Sequence, residues 1–89
     1  MAGSDVFRAL ADPSRRRILD LLRRGSLSAG EIGEHFAFTA ASLSHHLSVL
    51  KEARLVRAER RGQNIVYSLD TTVLEDALSL LVSLLRKTS

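Results

Sequence analysis

The side chains with the greatest capacity for chemistry are Ser44, His45 and His46, which follow one another directly. A serine and a histidine could act as nucleophile and base, but neighbours on a helix point in different directions, and no carboxylate is spaced to orient either. The histidines lack an i, i+4 pair and a carboxylate at ligand spacing, and phosphate-binding glycine motifs are missing. We therefore expect no catalysis, metal or cofactor, and interpret the polar residues as groups that bind a partner.

Composition limits the kind of partner. The chain has 89 residues, 45% of them hydrophobic and 26% charged, which is typical of one folded domain over residues 1–89. Its net charge of +3 favours a polyanion. There is no cysteine, so thiol chemistry is excluded. No apolar run approaches the roughly 18 residues that span a bilayer, and the first residues lack a signal-peptide pattern, so a cytoplasmic location is expected.

Capping residues and apolar periodicity predict four helices in the first part of the chain. Asp12 and Pro13 form a strong helix start, and Gly25 is placed to end that helix in the left-handed conformation. Ser28 and Glu31 have capping-box spacing. The predicted segments are residues 6–11, 13–24, 28–36 and 39–53, the last capped by Thr39.

After this helix, the spacing of apolar residues changes from the 3.6-residue period of a helix to the two-residue period of a strand. Residues 55–60 and 64–69 are predicted to be strands, joined at a tip formed by Arg61, Gly62 and Gln63. The spacing of Thr72 and Glu75 predicts a second capping box and a final helix to residue 87. The predicted fold is mainly α with a β-hairpin wing, in the order α-α-α-α-β-β-α. It is a winged helix-turn-helix, which binds DNA.

The helix at 39–53 has one leucine-rich face and one small, polar face without acid until Glu52. Small side chains let a helix enter the major groove, where Ser and His bond base edges and alanine methyls contact thymine methyls. The alternative is an ordinary solvated face. His46 lies at the core margin and is predicted to pack or hydrogen bond. The residues predicted to contact DNA are Thr39, Ala40, Ala41, Ser42, Ser44, His45 and Ser48.

Two clusters of arginine flank this helix in the sequence. Those of the hairpin could bond phosphates or enter a narrow minor groove, or could merely keep an edge ribbon soluble, and Glu59 opposes the first interpretation. The predicted DNA-binding residues of the hairpin are Arg57, Arg60, Arg61 and Gln63. For the run at 15–17, structural ion pairing with Asp12 or Asp20 is expected instead.

The final helix carries two apolar stripes, which is more than one small core can cover. One stripe is expected to face the core and the other a second copy, giving a symmetric homodimer. The alternatives are a monomer with a fully buried helix and a protein-interaction module for which DNA is irrelevant. The predicted dimerisation residues are Val6, Phe7, Leu10, Leu74, Leu78, Leu81 and Leu85.

Four segments together resemble the ArsR-type winged-helix repressors, and among them the SdpR autorepressor-like subfamily. They are FRALADPSRRRILDLLRRG, LSAGEIGEHF, SLSHHLSVLKEARLV and RRGQNIVYSLDTTVLEDAL. The resemblance covers about residues 5–85. It implies a homodimeric transcriptional repressor of an inverted-repeat operator, often upstream of its own gene, with the reading helix at 39–51 and the wing at 57–67.

The resemblance also carries expectations about control. Metal sensors of this family have cysteines before the reading helix or acid and histidine ligands in the final helix. This chain has Ser28, Ala29 and Gly30 at the first place and no histidine in the second, so it resembles a branch that does not sense metal. A ligand- or metal-responsive sensor remains the alternative. For the autorepressor subfamily, the resemblance implies double-stranded DNA as one partner and a membrane protein that sequesters the repressor as another.

Two positions depart from the family pattern. Arg54 stands where relatives usually have glycine, so either a positive φ or a displaced turn is predicted there, and a left-handed Arg54 would carry strain on the order of 1 kcal/mol. Ala40 and Ala41 stand where relatives often have larger polar residues. Fewer bidentate base contacts are then available, so specificity is expected to depend on His45, Ser44, thymine methyl contact and DNA shape.

Overall fold

A computed structural model describes the backbone of residues 2–87 and the side chains of residues 5–86. Within that range the chain forms five helices and three strands in the predicted order, apart from one short extra strand. The elements are α1 (Ala2–Leu10), α2 (Pro13–Leu22), β1 (Leu27–Ser28), α3 (Ala29–Glu34), α4 (Ala40–Glu52), β2 (Val56–Arg61), β3 (Asn64–Leu69) and α5 (Thr72–Lys87).

The extra strand, β1, corrects the predicted two-stranded ribbon. Leu27 pairs with Tyr67 and Ser28 with Val66, so the antiparallel sheet has the order β1-β3-β2 with β3 at its centre. Two residues are too few to show a period-two pattern. Ser28, predicted to open a helix, is both the last residue of this strand and the N-cap of α3.

Several boundaries differ from the prediction by a few residues. α1 begins at Ala2, before the apolar residues that signalled it. α2 and α3 end two residues early because the residues after them form tighter turns with hydrogen bonds between residues three apart. β2 is shifted by one residue, so the hairpin turn is Gly62 and Gln63 alone. Gly25 has a φ of 145°, which is positive but more extended than the predicted left-handed helical value.

Side-chain caps fix the starts of α2, α3 and α4 as predicted. Asp12 Oδ1 accepts from the amide of Ser14 at 2.7 Å. Ser28 Oγ accepts from the Glu31 amide at 3.2 Å, and the Glu31 carboxylate accepts from the Ser28 amide at 2.9 Å, which completes the capping box. Hydrogen bonding of the Glu31 carboxylate to the Ser28 amide, and then to the Ser28 side chain, lowers the pKa of Glu31. Each cap satisfies amides that have no partner inside their helix.

The predicted capping box at Thr72 is wrong. Asp70 accepts from the Thr72 amide at 3.0 Å, and the first helical hydrogen bond of α5 runs from the Glu75 amide to the carbonyl of Thr71 at 2.8 Å. The Thr71 hydroxyl also donates to the Glu75 carboxylate at 3.2 Å. The helix therefore starts at the predicted residue, but the capping interactions come from the two residues before it.

The core lies between the inner faces of the helices and the sheet. The largest fully buried side chains are Val6, Ile18, Ile32, Leu50 and Leu55. Leu43 and Leu47 of α4 are buried with them, as the leucine spacing predicted. Val6 was predicted to contact a second copy, but it belongs to the protomer core because α1 turns its Val6 and Ala9 face inward.

Arg54 ends α4 with the predicted positive φ, which is 60°. The Arg54 amide donates to the carbonyl of Lys51 and the Leu55 amide to that of Leu50, both at 3.0 Å. This pattern is a Schellman motif, and Leu50 and Leu55, its usual apolar pair, are both fully buried. The left-handed position is therefore set by the hydrogen bonds around it and not by the preference of arginine.

We predict that Arg54→Gly raises the free energy of unfolding by up to about 1 kcal/mol, because glycine adopts this φ without Cβ strain. Arg54→Ala is the matched control and should stay close to the original protein. Urea denaturation measures both, read as a shift of the midpoint at constant slope. A glycine variant less stable than the alanine variant would contradict this account of the turn.

We predict that Asp12→Ala lowers the free energy of unfolding by about 1 kcal/mol, while Asp12→Asn, which keeps an acceptor, loses less. Burial raises the pKa of Asp12, but hydrogen bonds from the Arg15 and Ser14 amides and the Arg15 charge together hold that pKa below its ordinary value. A carboxylate with a lower pKa when folded stabilises the fold above its unfolded pKa, and this stabilisation is lost as the pH falls through the folded value.

Acidification below about pH 4 should therefore cost the original protein more stability than it costs Asp12→Asn. Urea denaturation of both proteins at neutral pH and at about pH 3 measures this difference. Parallel losses in the two proteins would show that the Asp12 carboxylate does not titrate differently in the folded state.

Candidate nucleic-acid interface

The outer face of α4 is a continuous polar surface of small side chains. Its predicted reading residues are exposed on the side opposite the buried leucines, except Ser42, which is half-buried. The exposed ones are Ala40, Ala41, Ser44, His45 and Ser48, with Thr39 just before the helix. The first turn of α4 carries no acidic residue. The structure thus brings these predicted residues together on one accessible helix face.

The N-terminal end of α4 is suited to a phosphate group. Thr39 Oγ1 accepts from the Ser42 amide at 3.0 Å, which leaves the hydroxyl proton of Thr39 free to donate outward. A helix N-terminus has partial positive charge and attracts anions. Gly33 of α3 faces Leu43 of α4, and a Cβ built on Gly33 would lie 3.4 Å from Leu43 Cδ2. The two helices follow one another as in a helix-turn-helix.

The strand register separates the wing arginines onto two faces. Val56, which is buried, sets the inner face of β2, and Arg60 lies on that same face four residues further along, opposite Ile65. Arg57 and Arg61 lie on the outer face, because side chains alternate along a strand. All three arginines and Gln63 are exposed. The sequence analysis predicted the arginine cluster but not its division between two faces of the hairpin. The alternation of side chains along a strand would have been enough to predict that division.

The wing arginines have weak partners within the protomer. Arg57 Nε lies 3.8 Å from an oxygen of Asp70, and Arg61 lies 3.6 Å from Glu59. Hydrogen bonds from the Thr72 amide and hydroxyl, and then the charge of Arg57, lower the pKa of Asp70. Exposed ion pairs of this kind contribute little to stability, so a phosphate could replace the carboxylates at small cost.

The basic run on α2 has structural roles. Arg15 lies 3.9 Å from Asp12, as expected, and is buried. Arg16 instead donates to the carbonyl of Leu10 at 2.6 Å, and Arg17 lies over the ring of Phe36. Asp20 pairs with Arg23, which lies outside the run. The expectation of ion pairing therefore holds for Arg15, and no sequence pattern signalled the other contacts.

His46 is buried at 9% exposure, which confirms that it packs instead of facing outward. Its Nδ1 lies 3.4 Å from a guanidinium nitrogen of Arg15, and its ring lies against Phe38 at 5.3 Å. His45, its neighbour, points into solvent on the polar face. The pair thus divides into one inward and one outward histidine.

A second surface, on α1 and α5, is strongly apolar. Its most exposed residues are Phe7 at 39%, Leu78 at 61%, Leu81 at 46% and Leu85 at 71%. Leu10 and Leu74 are half-buried in the same groove. We call these six residues the α1–α5 surface. They are six of the seven predicted dimerisation residues, the seventh being the buried Val6.

The two predicted stripes of α5 do not divide cleanly into a core side and an outer side. Val73, Leu74 and Ala77 pack on the core, so both stripes contribute to it near the start of the helix. Further along, Leu80 and Leu84 are about half exposed, as are the leucines of the other stripe. The described part of the molecule measures 50 × 24 × 24 Å, and α5 extends past the core that could cover it.

The described residues form neither a metal-binding cluster nor a membrane-crossing helix. No group of three or more histidine, aspartate or glutamate side chains there is arranged to hold a metal ion. None of the helices in that range has the length and apolar character needed to cross a bilayer.

The chain is similar to known bacterial regulatory proteins. Residues 12–58, from the cap of α2 into β2, match the family of bacterial regulatory proteins of the arsR type. The chain is 48% identical over 84 residues to the transcriptional repressor SdpR of Bacillus subtilis, covering 94% of this chain and 93% of that protein.

Solved structures share the fold. A crystal structure of an ArsR family transcriptional regulator superposes with a TM-score of 0.91, covering 97% of this chain and 94% of that one, at 23% identity. A solution structure of a homodimeric winged helix-turn-helix DNA-binding domain from Mycobacterium bovis has a TM-score of 0.77 and 29% identity, covering 92% and 77% of the two chains. The predicted winged helix-turn-helix is therefore confirmed, and a regulator rather than an enzyme is supported. The chain belongs to the ArsR family of bacterial regulatory proteins.

Proposed function

We propose that this protein is a homodimeric transcriptional repressor that binds an inverted-repeat operator in double-stranded DNA. The observation that carries the proposal is the pairing of two surfaces, a polar reading face on α4 and the apolar α1–α5 surface. The first fits the major groove and the second fits another copy of the chain. Repression follows because a dimer on its operator occupies DNA that the transcription machinery needs.

On DNA, the α4 face would read the major groove through few but distinct contacts. Ser44 and His45 can bond base edges, and the methyl groups of Ala40 and Ala41 can contact thymine. Ser48 lies one turn beyond Ser44 on the same face. Thr39 and Ser42 at the start of the helix would position the phosphate backbone. Sequence preference would therefore depend on His45 and Ser44, assisted by DNA shape.

The wing would add contacts that do not depend on sequence. Arg57 and Arg61 on one face and Arg60 on the other can each reach a phosphate or a narrow minor groove, and Gln63 lies at the tip. Arg57 and Arg61 lie 3.8 and 3.6 Å from the carboxylates of Asp70 and Glu59, and Arg60 Nε donates to the carbonyl of Gly62 at 3.4 Å. A phosphate can replace these weak partners.

The second copy is proposed because the α1–α5 surface is costly in water. Apolar area contributes about 25 cal/mol per Å² when it leaves water, and an 89-residue chain has little core of its own. A two-fold axis through this surface would place two α4 helices in major grooves about 34 Å apart, or a multiple of that distance. The homodimeric relative from Mycobacterium bovis supports this assembly.

Autorepression without metal sensing completes the proposal. It is supported by the similarity to SdpR and by the lack of cysteine in the chain. Release by a membrane partner is implied by the family resemblance alone.

DNA binding is tested by gel shift or fluorescence anisotropy at increasing salt, on duplexes selected from a random pool. The logarithm of the affinity should fall with the logarithm of salt concentration, with a slope near −0.9 for each phosphate neutralised. An affinity that does not change with salt concentration would count against DNA as the partner and favour a protein-interaction module.

We predict that His45→Ala relaxes base preference. The variant should lose about 1–3 kcal/mol of binding free energy on the preferred sequence and little on other sequences. Arg61→Ala should weaken binding to DNA of any sequence by a similar factor. It should also reduce the slope of log affinity against log salt concentration by about one. The two variants serve as controls for each other in one competition assay. Equal effects of both variants on base preference would contradict this division of roles.

We predict that Leu78→Glu converts the dimer to a monomer at micromolar concentration, because it places a charge in the centre of the α1–α5 surface. Leu80→Glu is the matched control, since Leu80 is similarly exposed on the same helix but outside that surface. Sedimentation equilibrium measures the mass of both. A monomeric original protein, or a Leu80→Glu variant that alone dissociates, would show that the interface has been misplaced.

A further inference from the structure

Arg15 is a buried cation at the meeting point of three helices. It lies in the first turn of α2 and is 9% exposed. Its Nε donates to the carbonyl of Ala9 at 2.8 Å and its second terminal nitrogen to the carbonyl of Arg8 at 3.1 Å. Both carbonyls belong to the last turn of α1, where helical carbonyls have no partner inside the helix and where a positive charge is favoured. Arg15 thus holds the end of α1.

The remaining terminal nitrogen of Arg15 reaches α4. It lies 3.4 Å from Nδ1 of His46. Because a guanidinium can only donate, Nδ1 of His46 is the acceptor in this hydrogen bond. His46 is the inward neighbour of His45, which lies on the reading face. A directed contact therefore connects the end of α1 to the turn of α4 that carries the proposed base contacts.

Burial of an arginine is not explained by stability alone. An apolar side chain of similar volume often replaces a buried charge without loss, whereas a planar guanidinium with several directed hydrogen bonds fixes the orientation of its partners. Here those partners lie on two elements with different proposed tasks. α1 contributes Phe7 and Leu10 to the α1–α5 surface, and α4 carries the reading face.

We propose that Arg15, acting through His46, sets the orientation of the reading helix relative to the α1–α5 surface, and so determines which half-site spacing the dimer accepts. Arg15 is a positioning residue and does not touch DNA. The inference rests on the proposed function, since it assumes a dimer with two reading helices. A rigid connection within each protomer is needed because one base pair changes the half-site separation by about 3.4 Å and roughly a tenth of a turn.

The test compares three duplexes derived from the selected operator. One keeps the selected spacing, one has a single base pair inserted between the half-sites, and one contains a single half-site. The variants are Arg15→Lys, which keeps the charge but loses the planar fork, and His46→Leu, which removes the acceptor. His46→Asn is the conservative variant, since its amide oxygen can accept near the place of Nδ1. Leu22→Ala is the control, a core change about two turns along α2 from Arg15.

Titrations are run below the melting temperature of each variant. The original protein should prefer the selected spacing over the altered one. In Arg15→Lys and His46→Leu that preference should fall by about fivefold or more, with much smaller changes in affinity for the single half-site. His46→Asn and Leu22→Ala should keep the preference, because the first retains the acceptor and the second weakens only the core.

The inference is overturned if Arg15→Lys and His46→Leu weaken all three duplexes by one common factor, since Arg15 would then act only through stability. It is also overturned if His46→Asn loses the preference as fully as His46→Leu. Should Arg15→Lys fail to fold, the two His46 variants decide the question. If the original protein binds none of the duplexes, or does not distinguish the spacings, the proposed function fails, and the inference fails with it.

Discussion

The apolar surface on α1 and α5 is the constraint on which the rest of the structure depends. Leu78, Leu81 and Leu85 extend along a helix that continues past the core of a small domain. The core around Ile18 and Leu50 does not reach them. In the proposed dimer a second copy would cover this surface, and the resulting two-fold axis would fix where the two α4 helices lie.

The position of α4 in the fold is fixed by contacts at its two ends and along its buried face. Thr39 caps the first turn, and the Schellman motif at Arg54 ends the helix and leads the chain directly into β2. Leu43 and Leu47 anchor the inner face, which leaves the outer face free to carry only small polar groups. The exposed residues of this face lie outside the core, so they can change without unfolding the domain. Under the proposed function, this separation would let the same scaffold be adapted to different operators.

The features predictable from the sequence are those set by local hydrogen bonding and periodicity. Asp12, Ser28 and Thr39 are caps whose partners lie within three residues, and the positive φ at Arg54 followed from the place of that residue in the family pattern. The exposed reading residues of α4 followed from the 3.6-residue period alone. The family of the chain was also recognisable, because the order and spacing of the four segments are preserved.

The features that could not be predicted depend on contacts distant in sequence. β1 exists only because β3 lies beside it. The exception is the Asp70 cap of α5, a local contact that was missed because the spacing of Thr72 and Glu75 indicated a capping box beginning at Thr72. The inward side of Val6 depends on how α1 packs, since a short amphipathic segment does not show which of its apolar residues face its own core. The burial of Arg15 is the same kind of case, because hydropathy places arginine at the surface.

The most direct measurement of the central claim is the distance between the two α4 helices in solution. The chain has no cysteine, so Ser48→Cys places a single spin label on the exposed face of α4. Pulsed electron resonance at micromolar concentration should give one intermolecular distance of about 34 Å, allowing for the length of the label. An absence of dipolar coupling, or a distance so short that the two α4 helices must pack against each other, would contradict the account.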